Sequence, residues 1–473
     1  MKVAVIGAGP SGLACALELE RWGIKPVVYE RCHRVGNPAE MVHAFLHLAY
    51  RPVTDQLAYL AEKCHLPLMP LNILHSIHMH SCGHRTVLHS RRFGYLIARG
   101  RQPCSLERQL AARLRSPVLL ETPADALTLS RHFDAVVAAT GDSSIARTLG
   151  CWQELSNVAV KGAVVLGRFD PTALHIFFDT TYAGKGFGYL APFDRGRACL
   201  LLSVGGIGGS EMDDYWELFL EAEKLHYPVV ETFAQQFHAG RVTRQRHDNI
   251  FLVGNSGGFT DNLLGLGLFS GLISGVLAAR AIAHDLDYEA LVKPLLRHID
   301  RLNDLRLALD HLDNRGLNRL VCFLGLPGVK HLIYNSGFDI VRRSHRLIER
   351  LPWLEEERRA KYAHGGKENR RQSGPGESAP AAGGNRPDSP RRGAQPAPHF
   401  DGAEPGLRPE CGKRQWRPGR PVRLIGTGAA AARTTEKGSF RRPPGLGGVE
   451  ATVPRTAPPE KPAGEQPEGG RQG

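Results

Sequence analysis

The chain has 473 residues, with 60 Lys and Arg against 47 Asp and Glu, a formal net charge of +13, and is long enough for two or three domains. Its composition changes near Lys361. From there to Gly473 the sequence carries 20 basic and 11 acidic residues, a net of +9, which leaves +4 for everything before it. The stretch 363–473, rich in Pro, Gly and Arg, reads as a disordered tail with too few apolar groups to form a core. The preceding part has no basic helix with interleaved aromatics, so no nucleic-acid partner is expected. Nine cysteines without CxxC spacing read as reduced thiols of a cytoplasmic protein. No apolar run reaches the ~20 residues needed to span a bilayer.

The first element is the most informative. Lys2-Val-Ala-Val-Ile-Gly-Ala-Gly-Pro-Ser-Gly-Leu reads as a buried strand running through a glycine turn into a helix. Gly7 permits the tight turn, Gly9 lets backbone approach a pyrophosphate, and Gly12 lets helix and strand pack closely. A second strand, Pro26 to Tyr29, ends at Glu30, eighteen residues beyond Gly12, where a carboxylate can accept from an adenosine ribose. Arg31 is a further candidate for the ribose or phosphates.

Further along, Ala39–Tyr50 and Asp55–Cys64 show helical spacing, and Leu71–Ser90 shows short alternating runs that predict strands. Ser105 is placed to cap an amphipathic helix running to Leu114. Asp134–Gly141 predicts a buried strand entering a tight turn at Gly141. The segments 163–166, 175–178, 188–190 and 198–203 predict a second, mainly β layer, followed by a helix over 211–225. Asn249–Gly254 predicts one more strand, a glycine-rich turn follows, and helices run from Leu266 to about Tyr362. The fold class is therefore α/β: a Rossmann-like nucleotide-binding domain with an inserted mainly β substrate domain, C-terminal helices and a disordered tail. The divisions are 1–70, 101–160 and 246–285 for the nucleotide-binding domain, 71–100 and 161–245 for the β-rich substrate domain, 286–362 for the helical region and 363–473 for the tail.

Taken with Gly7 to Glu30, the segments Val136-Val-Ala-Ala-Thr-Gly141 and Phe251-Leu-Val-Gly-Asn-Ser-Gly-Gly-Phe-Thr-Asp261 resemble the three FAD-binding stretches of the aromatic-hydroxylase-like oxidoreductase superfamily. Within it, the chain resembles the geranylgeranyl reductase family, through Gly254-Asn-Ser-Gly-Gly258 and the Gly265-Leu-Gly267 turn. That family's PxxYxWxFP signature is matched in part by Gly184 to Pro192. Phe187, Tyr189 and Pro192 keep its character, whereas Gly184 and Ala191 depart from it. The resemblance implies FAD as cofactor, with Gly254 and Asn255 at the ribityl chain. Family members usually have Asp at residue 255; Asn keeps an acceptor without the charge, and Asn255→Asp is expected to tighten flavin retention. The amides of Leu266 and Gly267, at the start of a long helix after Gly265, are expected to stabilise negative charge on the reduced ring.

Phe187 and Tyr189, two apart on a strand, point to one face and would line an apolar channel. Gly36-Asn-Pro38 fits the loop that precedes flavin-facing residues, with Met41 where some members have a cysteine. The catalytic assignment stays open: Glu40, His43 and His47, placed on the helix expected over 39–50, are the local candidates for a proton donor. His75, His78, His80, Cys82, His84 and His89 invite comparison with a metal site, but they lack a recognised spacing and read better as a half-exposed strand, so no metal is expected.

The resemblance implies an FAD-dependent oxidoreductase that reduces C=C bonds of an isoprenoid or other apolar, prenyl-lipid-like substrate. Electrons would come from transiently bound NAD(P)H or a reduced ferredoxin-like donor. A flavin monooxygenase of the hydroxylase type is the rival, and a flavin-binding protein without turnover, acting through its basic tail, is an alternative of another class. Basic and apolar residues over 317–350 allow peripheral membrane contact, with a solvated helical cap as the alternative.

Overall fold

The computed structural model describes residues 1–349 and 351–358. The stretch 363–473, expected to be disordered, lies outside the described residues. The chain opens with strand β1 (Val3–Ile6), helix α1 (Pro10–Arg21) and strand β2 (Val27–Tyr29). There follow β3 (Met41–Leu46), α2 (Gln56–Cys64), β4 (Asn72–Ser81), β5 (His84–Arg99), α3 (Leu106–Ala111), β6 (Val118–Leu119), α4 (Ala126–Ser130), β7 (Ala135–Ala138) and α5 (Ser144–Thr148). Next come β8 (Trp152–Leu166), β9 (Ala173–Phe178), α6 (Thr180–Ala183), β10 (Phe187–Pro192), β11 (Arg197–Gly205), α7 (Met212–Ala222) and β12 (Val229–Val242). The chain then forms β13 (Arg246–His247), β14 (Ile250–Leu252), α8 (Leu268–His284), α9 (Tyr288–Asp310), α10 (Asn314–Leu324), α11 (Pro327–Lys330) and α12 (Ile340–Ile348).

Six strands form the first sheet in the order β13-β14-β7-β1-β2-β6. Apart from the antiparallel β13–β14 pair, its pairings are parallel. A parallel sheet is covered on both faces, and the sequences show it. In β1, Val3 and Val5 pack into one core with α1 and α8, while Ala4 and Ile6 pack into another with Ala126, Ala146 and Trp152. This is the Rossmann-like part of the expected α/β fold.

The second sheet has eight strands, β12-β8-β11-β10-β9-β4-β5-β3, antiparallel except where β4 runs parallel to β9. Its strands alternate between two cores. Leu174, Ile176 and Leu201 face one side, whereas Phe177, Leu190, Leu200 and Leu202 face α6 and α7 through Tyr182, Trp216 and Phe219. The fourteen-residue β12, which pairs along the whole of β8, has no counterpart among the strands expected from the sequence.

One expected helix is corrected. Residues 41–46 are an edge strand paired with β5, with His43 opposite Ile97, and only His47–Tyr50 coil into a 3₁₀ turn. Val42, Phe45, Leu46, Ala49 and Tyr50 match helical spacing, but pairing with a sixteen-residue strand supplies a ladder that outweighs so short a local preference. Ser105 does stand at the N-cap of α3, in extended conformation, yet its hydroxyl makes no capping bond.

Strand alternation also accounts for the histidines. Cys82 and Gly83 form a turn, so the strand that carries His78 and His80 ends before Cys82 and His84. His78 and His80 instead stack on His175 of β9, with centroids 4.3 and 5.5 Å apart, and His80 stacks on Phe177 at 4.6 Å. His80 Nε2 lies 3.2 Å from His175 Nδ1. Among the described residues no group of three or more His, Cys, Asp or Glu is poised for a metal ion. Burial lowers the pKa of His80 and of His175 to about 4, each helped by a neighbouring histidine. A histidine depressed in the folded state gains protons on unfolding, so its contribution is complete above its unfolded value near 6.5 and is lost as pH falls towards 4. Urea melts at stepped pH are therefore expected to show stability falling across that window, with a shallower fall in His175→Phe.

Candidate active site

Three loops meet at the C-terminal edge of the parallel strands, where open α/β sheets bind their ligands. After β1, Gly7 adopts φ +105°, and a Cβ there would lie 2.3 Å from the Ala139 carbonyl oxygen. Gly9 precedes α1 in extended conformation and Pro10 occupies the first helical turn, where its missing N–H costs nothing. The remaining first-turn amides have no intrahelical acceptor and form an anion-binding end. A Cβ on Gly12 would lie 2.0 Å from Gly7 O, so Gly12 sits behind the loop and sets its closeness to α1, whereas a Cβ on Gly9 would meet nothing within 4 Å. Glu30, at the end of β2, accepts from Ala8 N–H at 2.7 Å and from Cys32 N–H at 2.9 Å. Gly141 follows β7 with φ +77° and Gly254 follows β14 with φ +60°.

These loops open into a cavity of about 1170 Å³ that continues onto one face of the second sheet. That exceeds the roughly 300–1,000 Å³ typical of a single small-molecule site. Of the residues expected at the site, Gly7, Gly9, Glu30, Arg31, His43, Gly141, Phe187, Tyr189, Gly254, Asn255, Gly265, Leu266 and Gly267 all line it. Three do not. Pro192 lines a separate cavity of about 270 Å³ on the opposite face of the sheet, because it is odd in register with Phe187 and Tyr189. Glu40 lies 3.4 Å from Arg101 and accepts from Gln102. His47 is buried edge-on to Tyr95, with ring centroids 5.3 Å apart.

The electrostatics narrow the chemistry. Burial, helped by Arg99, lowers the pKa of His43 to about 3, so His43 is a neutral imidazole at neutral pH and not an imidazolium acid. Tyr189 donates to Val42 O at 3.0 Å, and burial drives its pKa well above the ordinary phenol value. Burial and Glu30 push the Cys32 thiol up, which keeps a thiolate out of the site. Asp261, which lines the cavity at 1% exposure, accepts from Leu264 N–H and Leu266 N–H at 2.9 Å each. Gly267 N–H is turned to Gly265 O at 3.0 Å. The two amides expected to face the flavin ring are thus already engaged, and the helix-end donors of this loop are the next amides, in the first turn of α8. Tyr50 donates to Leu266 O at 2.7 Å, so Leu266 is held through both its N–H and its C=O.

Sequence reasoning missed Arg34, Asp261 and the Arg306–Asp310 pair, all on the cavity wall. Arg34 carried a signal, since it follows Glu30 in the same loop as Arg31. Arg306 and Asp310 carried none, because nothing local tells a helix face turned to a cavity from one turned to solvent.

Residues 2–128 match the family model described as FAD dependent oxidoreductase. It is an FAD-dependent oxidoreductase. Among solved structures, the oxidoreductase is similar to a geranylgeranyl bacteriochlorophyll reductase-like protein from Thermoplasma acidophilum, with 15% identity over 73% of this chain and 98% of that one and a TM-score of 0.57. It is also similar to a flavoprotein/dehydrogenase from Cytophaga hutchinsonii, with 13% identity, 74% and 99% coverage and a TM-score of 0.50. The flavin-dependent halogenase CmlS matches with 18% identity, 75% and 77% coverage and a TM-score of 0.50. At these identities the likeness is one of fold. No curated protein matches the chain in sequence.

The residues present fit FAD. The open space at Gly9 sits over free helix-end amides, as a pyrophosphate requires. Arg34 Nε is buried beside the same loop without a hydrogen-bond partner among the described residues. Asn255 donates from Nδ2 to Gly141 O at 3.0 Å and to His238 O at 3.1 Å, which leaves its buried Oδ1 without a partner among the described residues. An unmatched acceptor on the cavity wall suits a ribityl hydroxyl. The same geometry reverses the expectation for Asn255→Asp: a carboxylate would lose two donated bonds and face two carbonyl oxygens.

Two outcomes follow from this geometry. Gly9→Val is expected to fold with the urea midpoint of the flavin-free wild type, since its Cβ meets no described atom within 4 Å, yet to purify without flavin, as read from the visible spectrum. Asn255→Asp is expected to weaken FAD binding by about tenfold or more, in keeping with ~1–3 kcal/mol for unsatisfied buried polar groups, measured by fluorescence titration of the apoprotein.

Proposed function

We propose that this oxidoreductase reduces C=C bonds of an isoprenoid or similarly apolar substrate. The observation that carries the reading is the wall opposite the dinucleotide loops. Val42, Ile176, Phe187, Tyr189, Leu201, Phe233 and Phe237 all face the one cavity and offer an apolar surface continuous with the flavin's place. The likeness to a reductase-like protein from Thermoplasma acidophilum supports the same reading.

When bound, FAD supplies the electron transfer; the protein supplies placement. In this reading Gly7, Gly9, Gly12, Glu30, Arg31 and Arg34 hold the adenosine and pyrophosphate end, and Gly141, Gly254 and Asn255 hold the ribityl chain. Gly265, Leu266 and Gly267, clamped by Asp261 and Tyr50, form the rigid wall against the ring. Phe187 and Tyr189 shape the substrate's seat. No cavity histidine holds a proton at neutral pH, so the proton that completes saturation comes from water reaching the cavity or from a neutral hydroxyl such as that of Ser203, which lines it.

The test uses the full chain loaded with FAD, reduced by dithionite under anaerobic conditions and mixed with a polyprenol. Return of oxidised-flavin absorbance together with a product two hydrogens heavier is the expected result. If reoxidation instead requires oxygen and the product gains an oxygen atom, the hydroxylase-type reading replaces it.

A further inference from the structure

The Arg306–Asp310 pair is the one charged couple of α9 on the cavity wall, and neither the dinucleotide loops nor the apolar seat uses it. Arg306 Nε lies 2.7 Å from Asp310 Oδ1, and the two side chains are only 13% and 12% exposed. Arg306 Nη1 reaches Leu263 O at a long 3.4 Å. Its second terminal nitrogen, Nη2, has no hydrogen-bond partner among the described residues, and both residues line the cavity. A guanidinium presents its donors in a fixed planar fork, so Asp310 and Leu263 leave one edge of that fork unspent beside the loop 262–267. Placing an ion pair against an apolar wall carries a desolvation penalty that hydrophobic residues would avoid.

We propose that Arg306 is the polar recognition point of the cavity and that its ligand is a neutral carbonyl group carried by an otherwise apolar molecule. The open N–H groups require an acceptor. Asp310, at ion-pair distance, places a negative charge beside Arg306 that repels a second carboxylate, which favours a ketone, ester or amide oxygen over an acid. The apolar remainder of the ligand lies against Phe187, Tyr189 and Leu201. This specificity rests on the reading of the cavity as a substrate chamber, but it concerns binding and not turnover.

Isothermal titration of the FAD-loaded full chain with undecane, 2-undecanone and undecanoate tests it. The ketone is expected to bind at least tenfold more tightly than the alkane, with undecanoate no tighter than the ketone. Arg306→Met should erase the ketone's advantage while alkane affinity and flavin content stand. Asp310→Asn, which keeps the guanidinium, should strengthen undecanoate binding at least tenfold and covers the case in which Arg306→Met fails to fold. Equal affinity for ketone and alkane in the wild type, binding of neither, an advantage that survives in Arg306→Met, or no gain for undecanoate in Asp310→Asn would overturn the assignment. Absence of C=C reduction alongside an intact ketone preference would count against the reductase reading alone.

Discussion

Everything in the nucleotide-binding half depends on how closely α1 can approach its neighbours. Ser11 is the contact point. A Cβ on Gly271 would lie 2.7 Å from Ser11 Oγ, one on Gly275 would lie 2.1 Å from Ser11 O, and one on Gly254 would lie 2.4 Å from Ser11 Oγ. On the other side, Gly12 meets Gly7 O and Ala139. The N-terminal turn of α1 is thereby wedged between the sheet and α8 with no side chain to hold it off. Two ion pairs to one buried carboxylate lock the far end: Glu18, 1% exposed, lies 2.7 Å from both Arg280 of α8 and Arg21. Burial alone would raise the Glu18 pKa, yet the bonds from Arg280 and Arg21 hold it below its ordinary value. A helix end held this rigidly keeps its free amides aimed at one place, which a phosphate site needs.

The second constraint is register. The eight-stranded sheet sends alternate residues to opposite faces, so β9 and β10 each serve two environments. Ile176 and Tyr189 look into the large cavity, while His175, Phe177, Leu190 and Pro192 look away from it. The His78–His175–His80 column is the back of the large cavity's wall. Its rings are kept neutral by burial, so they fill space as flat, stackable groups without bringing charge behind an apolar surface.

Much of this was legible from the sequence, and the reasons differ by element. Gly7, Gly9, Gly12 and Glu30 were readable because backbone sterics and spacing encode them locally. Gly141 and Gly254 were readable because a strand ending in glycine is a short-range pattern, and Gly265 because a Gly-Leu-Gly turn leads into a long apolar helix. Residues 41–46 were not, since five apolar positions matched a helix and only a partner sixteen residues long made them a strand. β12 was hidden for a related reason: Glu231, Gln235 and Gln236 dilute its alternation, and long pairing to β8 holds it in place. Among the site residues, Asn255 was found but its orientation was not. The two carbonyls that fix its amide, Gly141 O and His238 O, come from segments far apart in the chain.

Three titratable groups of the cavity share one property: His43, Tyr189 and Cys32 are each shifted towards their neutral forms by burial. Arg306 lies at ion-pair distance from Asp310. Asp261 is also shifted towards its neutral form, and its carboxylate is committed to the 263–267 loop. The apolar face of the second sheet exerts little pull on water, while fixed dipoles at its edges retain full strength. A bound flavin would find its helix-end donors in the first turn of α8, while the apolar face would seat a neutral molecule. That division of labour, with polar groups around the cofactor and an apolar surface with one hydrogen-bonding point around the substrate, follows from the two sheets themselves. The parallel sheet ends in loops and helix termini, whereas the antiparallel sheet offers a continuous side-chain face.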